Sequence, residues 1–510
     1  MNDREVTPTS LLFSPGQSKR LSEKQPGCFP DLGLDQIVTD VLGDDPLELA
    51  PVFWTVADAA TVQYRHGVFA DLDTPEVIAA CRAFVAGMAA VRESLGLARR
   101  LRYPRQGQRV LLDAARRYAD VVRSAADDLN KCPLRSEALQ TAAQLLVEYV
   151  DSGPFTRLSM DTRSVAAQLD AVKYDFHIQG GSVTVAADAS GTDQSAVATA
   201  AFARFKETEA GSHRTRFVDT VEMNRVEAGV LDLVAEVFPS AFQALDRFAG
   251  EHAAFLDRTV AGFERGLHLY LSVLDHLQAA AGTALSTCLP ELTADRSVQV
   301  VDGYDLQLAA QPDRRVSIVP NDIRLVPGEQ FLVVTGANQG GKSTFARVFG
   351  QLHWMAAIGF PVAARTARLA RFDLLLTHFE RQEDLALLRG RLEDDLIRVR
   401  DILERVTSDS IVIANELFSS TTAQDALSLN ERVLHALLEA RAIGVTVTFL
   451  DELAVMAPPM VSVVAEVAAD DPTHRTFRIV RRPPDGLAHA TAIAEKYGLS
   501  PQRIRERVLS

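Results

Sequence analysis

The stretch that most constrains this chain is "FLVVTGANQGGKSTFARVFG". An apolar strand, Phe331 to Thr335, runs through a glycine-rich loop into a helix expected to start near Lys342. Gly336 to Ser343 fits G-x-x-x-x-G-K-[ST], and strand, loop and helix in that order are the setting in which the pattern wraps phosphate. The expected nucleotide-binding segment is Gly336, Ala337, Asn338, Gln339, Gly340, Gly341, Lys342, Ser343 and Thr344. Gly336, Gly340 and Gly341 let backbone N–H groups close around a β-phosphate, and Lys342 neutralises the β/γ oxygens. Ser343 ligates Mg²⁺, and the helix N-terminus adds a favourable dipole. ATP and Mg²⁺ are the expected cofactors.

A second stretch, "SIVIANELFSSTTAQDALSL" at 410 to 429, supplies the other half of such a site. "SIVIA" reads as a buried strand whose C-terminal end delivers Asn415 and Glu416 beside the phosphates, as open α/β sheets do. Glu416 is the candidate general base or water-positioning residue, and with Lys342 the candidate catalytic pair. Asn415 stands where an aspartate is usual. It can hydrogen-bond a Mg²⁺-bound water, alongside Ser343 as direct ligand, but it carries no charge. A unit charge pair about 4 Å apart is worth roughly 1 to 4 kcal/mol between bulk-water and near-surface dielectric values. Weaker Mg²⁺ affinity and slower turnover are therefore expected, with ATP binding retained.

At 510 residues, two or three domains are the prior. Cys28, Cys81, Cys132 and Cys288 are scattered, so neither a disulfide framework nor a zinc site is suggested. No run of about 18 uncharged apolar residues appears and the N-terminus lacks a signal pattern, so a cytoplasmic protein without a membrane segment is expected. The net charge of −14 argues against indiscriminate coating of nucleic acid, although local phosphate contacts still allow DNA binding. One basic cluster qualifies, "LARRLRYPRQGQR", with Arg99, Arg100, Arg102, Arg105 and Arg109 around Tyr103, and a solvated loop between two helices explains it equally well.

Residues 1–35, rich in Pro, Ser and Gly, read as a flexible arm. A mainly α-helical core and lever domain is expected over 36–299, with a small β-containing insertion at about 172–222 centred on Gly180 and Gly181. Within it, Leu256, Val260, Phe263, Leu267, Leu271, Leu274 and Leu277 share one stripe of a long helix. From 300 to 510, strands alternate with helices, the pattern of an α/β P-loop NTPase domain. His353, His378 and His435 lack paired ligands, so packing or surface placement is expected of them, and Trp354 is expected in the core.

The residues around the loop are more specific than the bare motif. "VVTGANQGGKSTFARVFGQLHWMAAIGFPVAA" resembles the MutS family of mismatch-repair ATPases, whose loop reads T-G-P-N-M-G-G-K-S-T with an "IG-x-x-V-P-A" continuation. "VPND" at Val319 to Asp322 resembles the segment that approaches the nucleotide base in that family. "NELFSSTTAQDALSL" resembles "DE-x-G-R-G-T-S-T-x-D-G-x-S-L", which aligns Glu416, Thr421, Asp425, Leu427 and Ser428 and makes Asn415, Glu416 and Asp425 the candidate Walker B and D-loop residues. "PDGLAHATAIAEKYGLSPQRIRER" resembles the family's C-terminal stretch, and "YRHGVFADL" its core.

The departures also bear on function. Phe418 to Ser420 replace "GRG", Phe449 stands where the family has a catalytic-site histidine, and "GRLEDDL" at Gly390 to Leu396 is a shortened trans-acting loop. The mismatch-reading N-terminal domain has no counterpart before the helical core, and Phe205, Lys206 and Glu207 only coincide with its Phe-x-Glu wedge. The resemblance implies a homodimer through the ATPase domains and an ATP-gated, sequence-independent DNA-structure binder related to mismatch repair, a weak ATP hydrolase at most. A nucleotide-dependent scaffold with a protein or RNA partner is the alternative.

Overall fold

A computed structural model of the chain describes residues 10–14, 21–180, 182–188, 222–311, 318–380, 390–468 and 474–484. In chain order the elements begin with α1 (Phe29–Leu32), α2 (Leu34–Leu42), α3 (Ala50–Phe53), α4 (Ala59–Leu72), α5 (Pro75–Arg100), α6 (Pro104–Lys131), α7 (Glu137–Val150) and α8 (Gly153–Asp170). They continue with β1 (Tyr174–Gln179), β2 (Ser182–Ala187), α9 (Arg225–Val237), α10 (Pro239–Glu251), α11 (Arg258–Ala281), β3 (Glu291–Thr293), β4 (Val298–Gly303) and α12 (Leu306–Ala310). The remainder is β5 (Asn321–Leu325), β6 (Phe331–Gly336), α13 (Lys342–Ala357), β7 (Thr366–Ala370), β8 (Leu375–His378), α14 (Arg391–Arg405), β9 (Ile411–Asn415), α15 (Ala423–Glu439), β10 (Ile443–Val447), β11 (Met460–Val467) and β12 (Arg475–Arg481). The chain divides into two compact units, 1–73 with 135–138 and 265–510, and 74–134 with 139–264.

The first unit is built on a six-stranded sheet in the order β12-β11-β6-β10-β9-β8. All neighbours pair in parallel except the edge strand β12, which is antiparallel to β11. "FLVVT", "IVIAN" and "IGVTV" are buried at every residue, as strands covered on both faces must be. Between β6 and the strands beside it, the C-terminal ends of β6, β9 and β10 come together, the edge at which α/β sheets hold ligands. Helix α13 is buried around nearly its whole circumference, which marks a helix enclosed by the core. Trp354 is buried with its indole N–H donating to Phe53 O at 2.9 Å. A second sheet, β3-β7-β4-β5, starts with Glu291–Thr293 pairing parallel to Arg368–Ala370, so sheet structure begins before residue 300.

The second unit is helical, with the β1–β2 hairpin turning at Gly180 as its pattern suggests. Phe84 packs on Phe263 and Tyr118 on Phe255. The buried Glu264 carboxylate is held by Arg92, whose Nε and Nη2 donate to it at 2.7 and 2.5 Å. Among the described residues no single helix is long and apolar enough to cross a membrane, and the four cysteines are free.

Three expectations need correcting. The stretch read as a flexible arm is packed at several of its described residues: Leu11, Leu12, Phe13, Phe29 and Leu32 are buried, while Glu23, Lys24 and Gln25 are exposed. Arg65 Nε donates to Leu12 O at 2.9 Å and Tyr270 Oη to Leu11 O at 2.8 Å, so side chains distant in sequence hold a short apolar segment that has no period of its own. Leu256 precedes α11 instead of lying on its stripe, because Asp257 caps the helix by accepting from Thr259 N and Val260 N. "GRLEDDL" forms the first turns of α14, with Glu393 and Asp394 matching the helix N-terminus. Most of the 172–222 insertion, Phe205 to Glu207 included, and the "PDGLAHA" stretch lie outside the described residues.

Candidate functional site

The loop from Gly336 to Gly341 joins β6 to α13 through left-handed backbone at Gly336 (φ 100°), Gln339 (φ 62°) and Gly341 (φ 90°). Gly336 has no substitute. A Cβ there would stand 2.8 Å from Ala465 O on the neighbouring strand, and its φ is strained for any L side chain. Helix α13 then starts at Lys342, with no side chain capping its first N–H groups. Those donors and the helix dipole face the cleft as an anion site.

Lys342 is buried, and its Nζ donates to Gly336 O at 2.9 Å, Asn338 Oδ1 at 3.1 Å and Ala337 O at 3.5 Å. Every one of these partners is a neutral oxygen. Burial pushes the ammonium below its usual 10.5, with the Glu416 and Asp451 carboxylates opposing and Arg475 reinforcing. A buried cation solvated only by neutral oxygens is suited to a polyanion that brings the missing charge.

Asn415 ends β9, and its Oδ1 accepts from Ser343 Oγ at 2.9 Å. The two residues expected near a metal are thus adjacent. They present a hydroxyl and an amide oxygen, both hard neutral donors of the kind Mg²⁺ accepts in part while keeping waters. The donor set fits that ion without the charge a carboxylate would add. Glu416 follows in the left-handed region (φ 55°), its N–H donating to Val447 O at 2.9 Å, and its side chain lines the cleft. Phe418 is also left-handed (φ 58°) and fully buried. This turn stores strain on the metal side of the site.

The cleft, about 620 Å³, is lined at the phosphate end by Asn338, Gln339, Gly341, Lys342, Ser343, Thr344 and Glu416. The rest of its wall includes Tyr304, Leu308, Ile318, Val319, Asn321 and Phe477, the last of these beside Gly341. Ala337 is buried, and Gly340 N donates to Ala337 O at 3.2 Å within the loop. Val319 and Asn321 place "VPND" on the wall of the cleft. Asp425 is not part of this lining. It is exposed in the first turn of α15, where its carboxylate accepts from the N-cap Thr422 hydroxyl at 2.8 Å. Phe449 is 49 % exposed just past β10.

Sequence reading missed several wall residues. Asn321 Nδ2 donates to Phe477 O at 3.0 Å and its Oδ1 accepts from Ile479 N at 2.7 Å, which ties β12 to the start of β5. The buried Asp305 accepts from Arg347 Nε at 2.5 Å and from Gln351 Nε2 at 3.1 Å. Arg475 Nε donates to Asn338 O at 3.0 Å. The isolated Asn in "VPND" was the one available signal. His353 is buried with Nδ1 2.7 Å from Phe349 O, and its pKa falls to about 4 through burial. His378 is buried beside Asp395, and His435 is exposed on α15.

Residues 332–500, the segment holding β6, the loop, β9 and β12, match the family model for MutS domain V. This segment of the chain is similar to the MutS family's domain V. The chain is 31% identical over 314 residues to the DNA mismatch repair protein MutS 1 of Halobacterium salinarum, covering 60% of this chain and 33% of that protein. It is 31% identical over 172 residues to the DNA mismatch repair protein MutS of Syntrophomonas wolfei, 33% of this chain and 20% of the relative. The Endonuclease MutS2 of Gemmatimonas aurantiaca is 28% identical over 254 residues, 48% and 30% respectively. The chain spans a third or less of the length of these curated relatives.

Proposed function

We propose that the chain is an ATP-binding MutS-family protein that binds DNA without reading its sequence. In this reading it pairs through its ATPase domains as a homodimer, uses Mg²⁺ with the nucleotide and turns ATP over slowly. In this reading the P-loop ATPase lies in the unit of 1–73, 135–138 and 265–510, and the helical lever in the unit of 74–134 and 139–264. The observation that carries the nucleotide reading is Lys342, a buried ammonium whose described partners are three neutral oxygens at the head of a cleft of about 620 Å³. DNA as the ligand rests on the similarity to DNA mismatch repair proteins.

The residues divide the work. Backbone N–H groups of the loop and α13 hold the β-phosphate, and Lys342 sits against the β/γ oxygens. Mg²⁺, when bound, would be held by Ser343, with Asn415 accepting from one of its waters, and would supply charge neutralisation at the phosphates. Glu416 would orient the attacking water from its strained position and accept its proton. Asn415 removes a negative charge from that side, and Phe449 puts an apolar ring where the family carries a histidine. Both favour a slow switch over a rapid hydrolase.

The same two substitutions support the second reading, a nucleotide-dependent scaffold for protein or RNA with little hydrolysis. Binding of plain, mismatched and branched DNA, with and without ATP, separates the two. Detectable affinity that weakens with salt is the expected result, and none at low salt would remove the DNA reading. Sedimentation with and without ATP tests dimerisation, and a monomer under both conditions would contradict it.

A further inference from the structure

The basic cluster at the α5–α6 turn has no part in the nucleotide cleft, and the structure sorts its members. Arg105 Nε pairs with Asp232 at 3.1 Å and its guanidinium lies over Phe242, while Arg109 pairs with Asp113 at 3.0 Å and lies 4.0 Å from Asp170. These two serve packing within the unit. Arg99, Arg100 and Arg102 are different: all three are exposed, and none has an ion pair among the described residues. Arg100 Nε makes a long 3.3 Å contact to Gly96 O, which leaves its remaining donors to solvent.

The turn that carries them is short and braced. Only residues 101–103 separate α5 from α6, with Pro104 opening the second helix. Leu101 N donates to Leu97 O and Gly107 N to Tyr103 O, both at 3.1 Å. At Gly107 a Cβ would stand 2.9 Å from Ala98 O, so the two backbones touch where the helices meet. Gln106 accepts from Met223 N at 3.3 Å, which brings the start of α9, with the exposed Arg225, to the same end of the unit. Attraction to the α5 C-terminal dipole accounts for Arg99 and Arg100 in its last turn. It does not account for Arg102, which lies beyond the helix end.

We propose that the α5–α6 turn is a contact site for the sugar-phosphate backbone of duplex DNA, with Arg99, Arg100 and Arg102 as the contacting residues. The proposal rests on the DNA-binding reading above and deepens it by naming the surface. On a chain of net charge −14, three exposed arginines on one turn with no ion pair among the described residues form a local positive patch that attracts phosphate. A braced turn loses little entropy on ordering its side chains, and guanidinium forks match phosphate oxygens. Phosphate contacts of this kind position the duplex and carry no sequence preference.

The test is the salt dependence of binding to a plain DNA duplex, using the full chain and its Arg99→Gln/Arg100→Gln/Arg102→Gln variant. Each lost phosphate contact lowers the magnitude of the log K against log[salt] slope by about 0.9, so a fall of about 2 to 3 is expected. The corresponding triple lysine variant should restore the slope, because charge is what the contacts need. Arg163→Gln, an exposed arginine of α8 in the same unit, should leave it unchanged. A wild-type slope in the triple glutamine variant, with DNA still bound, overturns the proposal alone, as does an equal fall with Arg163→Gln. No DNA binding by wild type removes the underlying reading with it. Binding to duplex RNA or anionic phosphatidylserine vesicles that depends on the three arginines while DNA binding does not also overturns the assignment.

Discussion

The two strands that bracket the cleft make an informative pair. β6 leads into a loop that keeps every residue the phosphate pattern requires, and its side chains are arranged for an anion: Lys342 buried among neutral oxygens, three left-handed residues, a free helix N-terminus. β9 leads into a turn that has kept Glu416 but replaced the charge beside it with Asn415, and strained Glu416 and Phe418 into left-handed backbone. In the proposed reading the first strand sets whether nucleotide is held and the second how quickly it is used. A site can keep one and alter the other because binding depends on charge at Lys342, while turnover depends on groups that act on the water and the metal.

The largest expected effect lies on the β6 side. Lys342→Ala removes the buried ammonium and should weaken ATP binding by more than about 100-fold, since charged hydrogen bonds contribute on the order of 1.5 to 3 kcal/mol each. Calorimetric titration reads this, and retained affinity would mean that the phosphate site is misassigned. Next, on the β9 side, Glu416→Gln should lower turnover by about 10² to 10⁴ with ATP affinity little changed, the range typical of a lost acid–base group. Equal losses in affinity and rate would erase the division between the strands.

Alkaline pH sharpens the same division with opposite signs. The folded Lys342 pKa lies below its unfolded value near 10.5, so in the window between them the unfolded chain binds more protons. The ligand-free protein should therefore gain stability as pH rises through that window, while ATP affinity falls as the folded ammonium loses its proton. Thermal melts with and without ATP check both directions together. The smallest effect is Thr422→Ala, which removes the N-cap of α15 after the β9 turn and should cost about 1 kcal/mol in stability without altering nucleotide affinity.

The β6 side was legible in the sequence because its function is local. Glycines, lysine and serine at fixed spacing, between an apolar strand and a helix, leave few alternatives. The long helices α5 and α7 and the β1–β2 hairpin were legible for the same reason, through periodicity. What was not legible comes from contacts across the chain. Asn321 and Phe477 meet because β12 lies against the start of β5, and Asp305 meets Arg347 because the N-terminus of α12 is hydrogen-bonded to α13. The "SLLF" segment at 10 to 13 reads as arm because its burial depends on Arg65 and Tyr270. Asp425 aligned with a family motif, and its carboxylate accepts from the N-cap Thr422 hydroxyl of α15, outside the lining of the cleft.

The most direct test of the account is Mg²⁺-dependent ATP turnover at saturating nucleotide for wild type and Asn415→Asp. Restoring the carboxylate beside Ser343 should raise the rate and lower the Mg²⁺ concentration needed for half-maximal activity, by about 5-fold or more for a charge interaction of at least roughly 1 kcal/mol. A lower or unchanged rate in Asn415→Asp would contradict the claim that this strand, and not the phosphate loop, sets the pace of the switch.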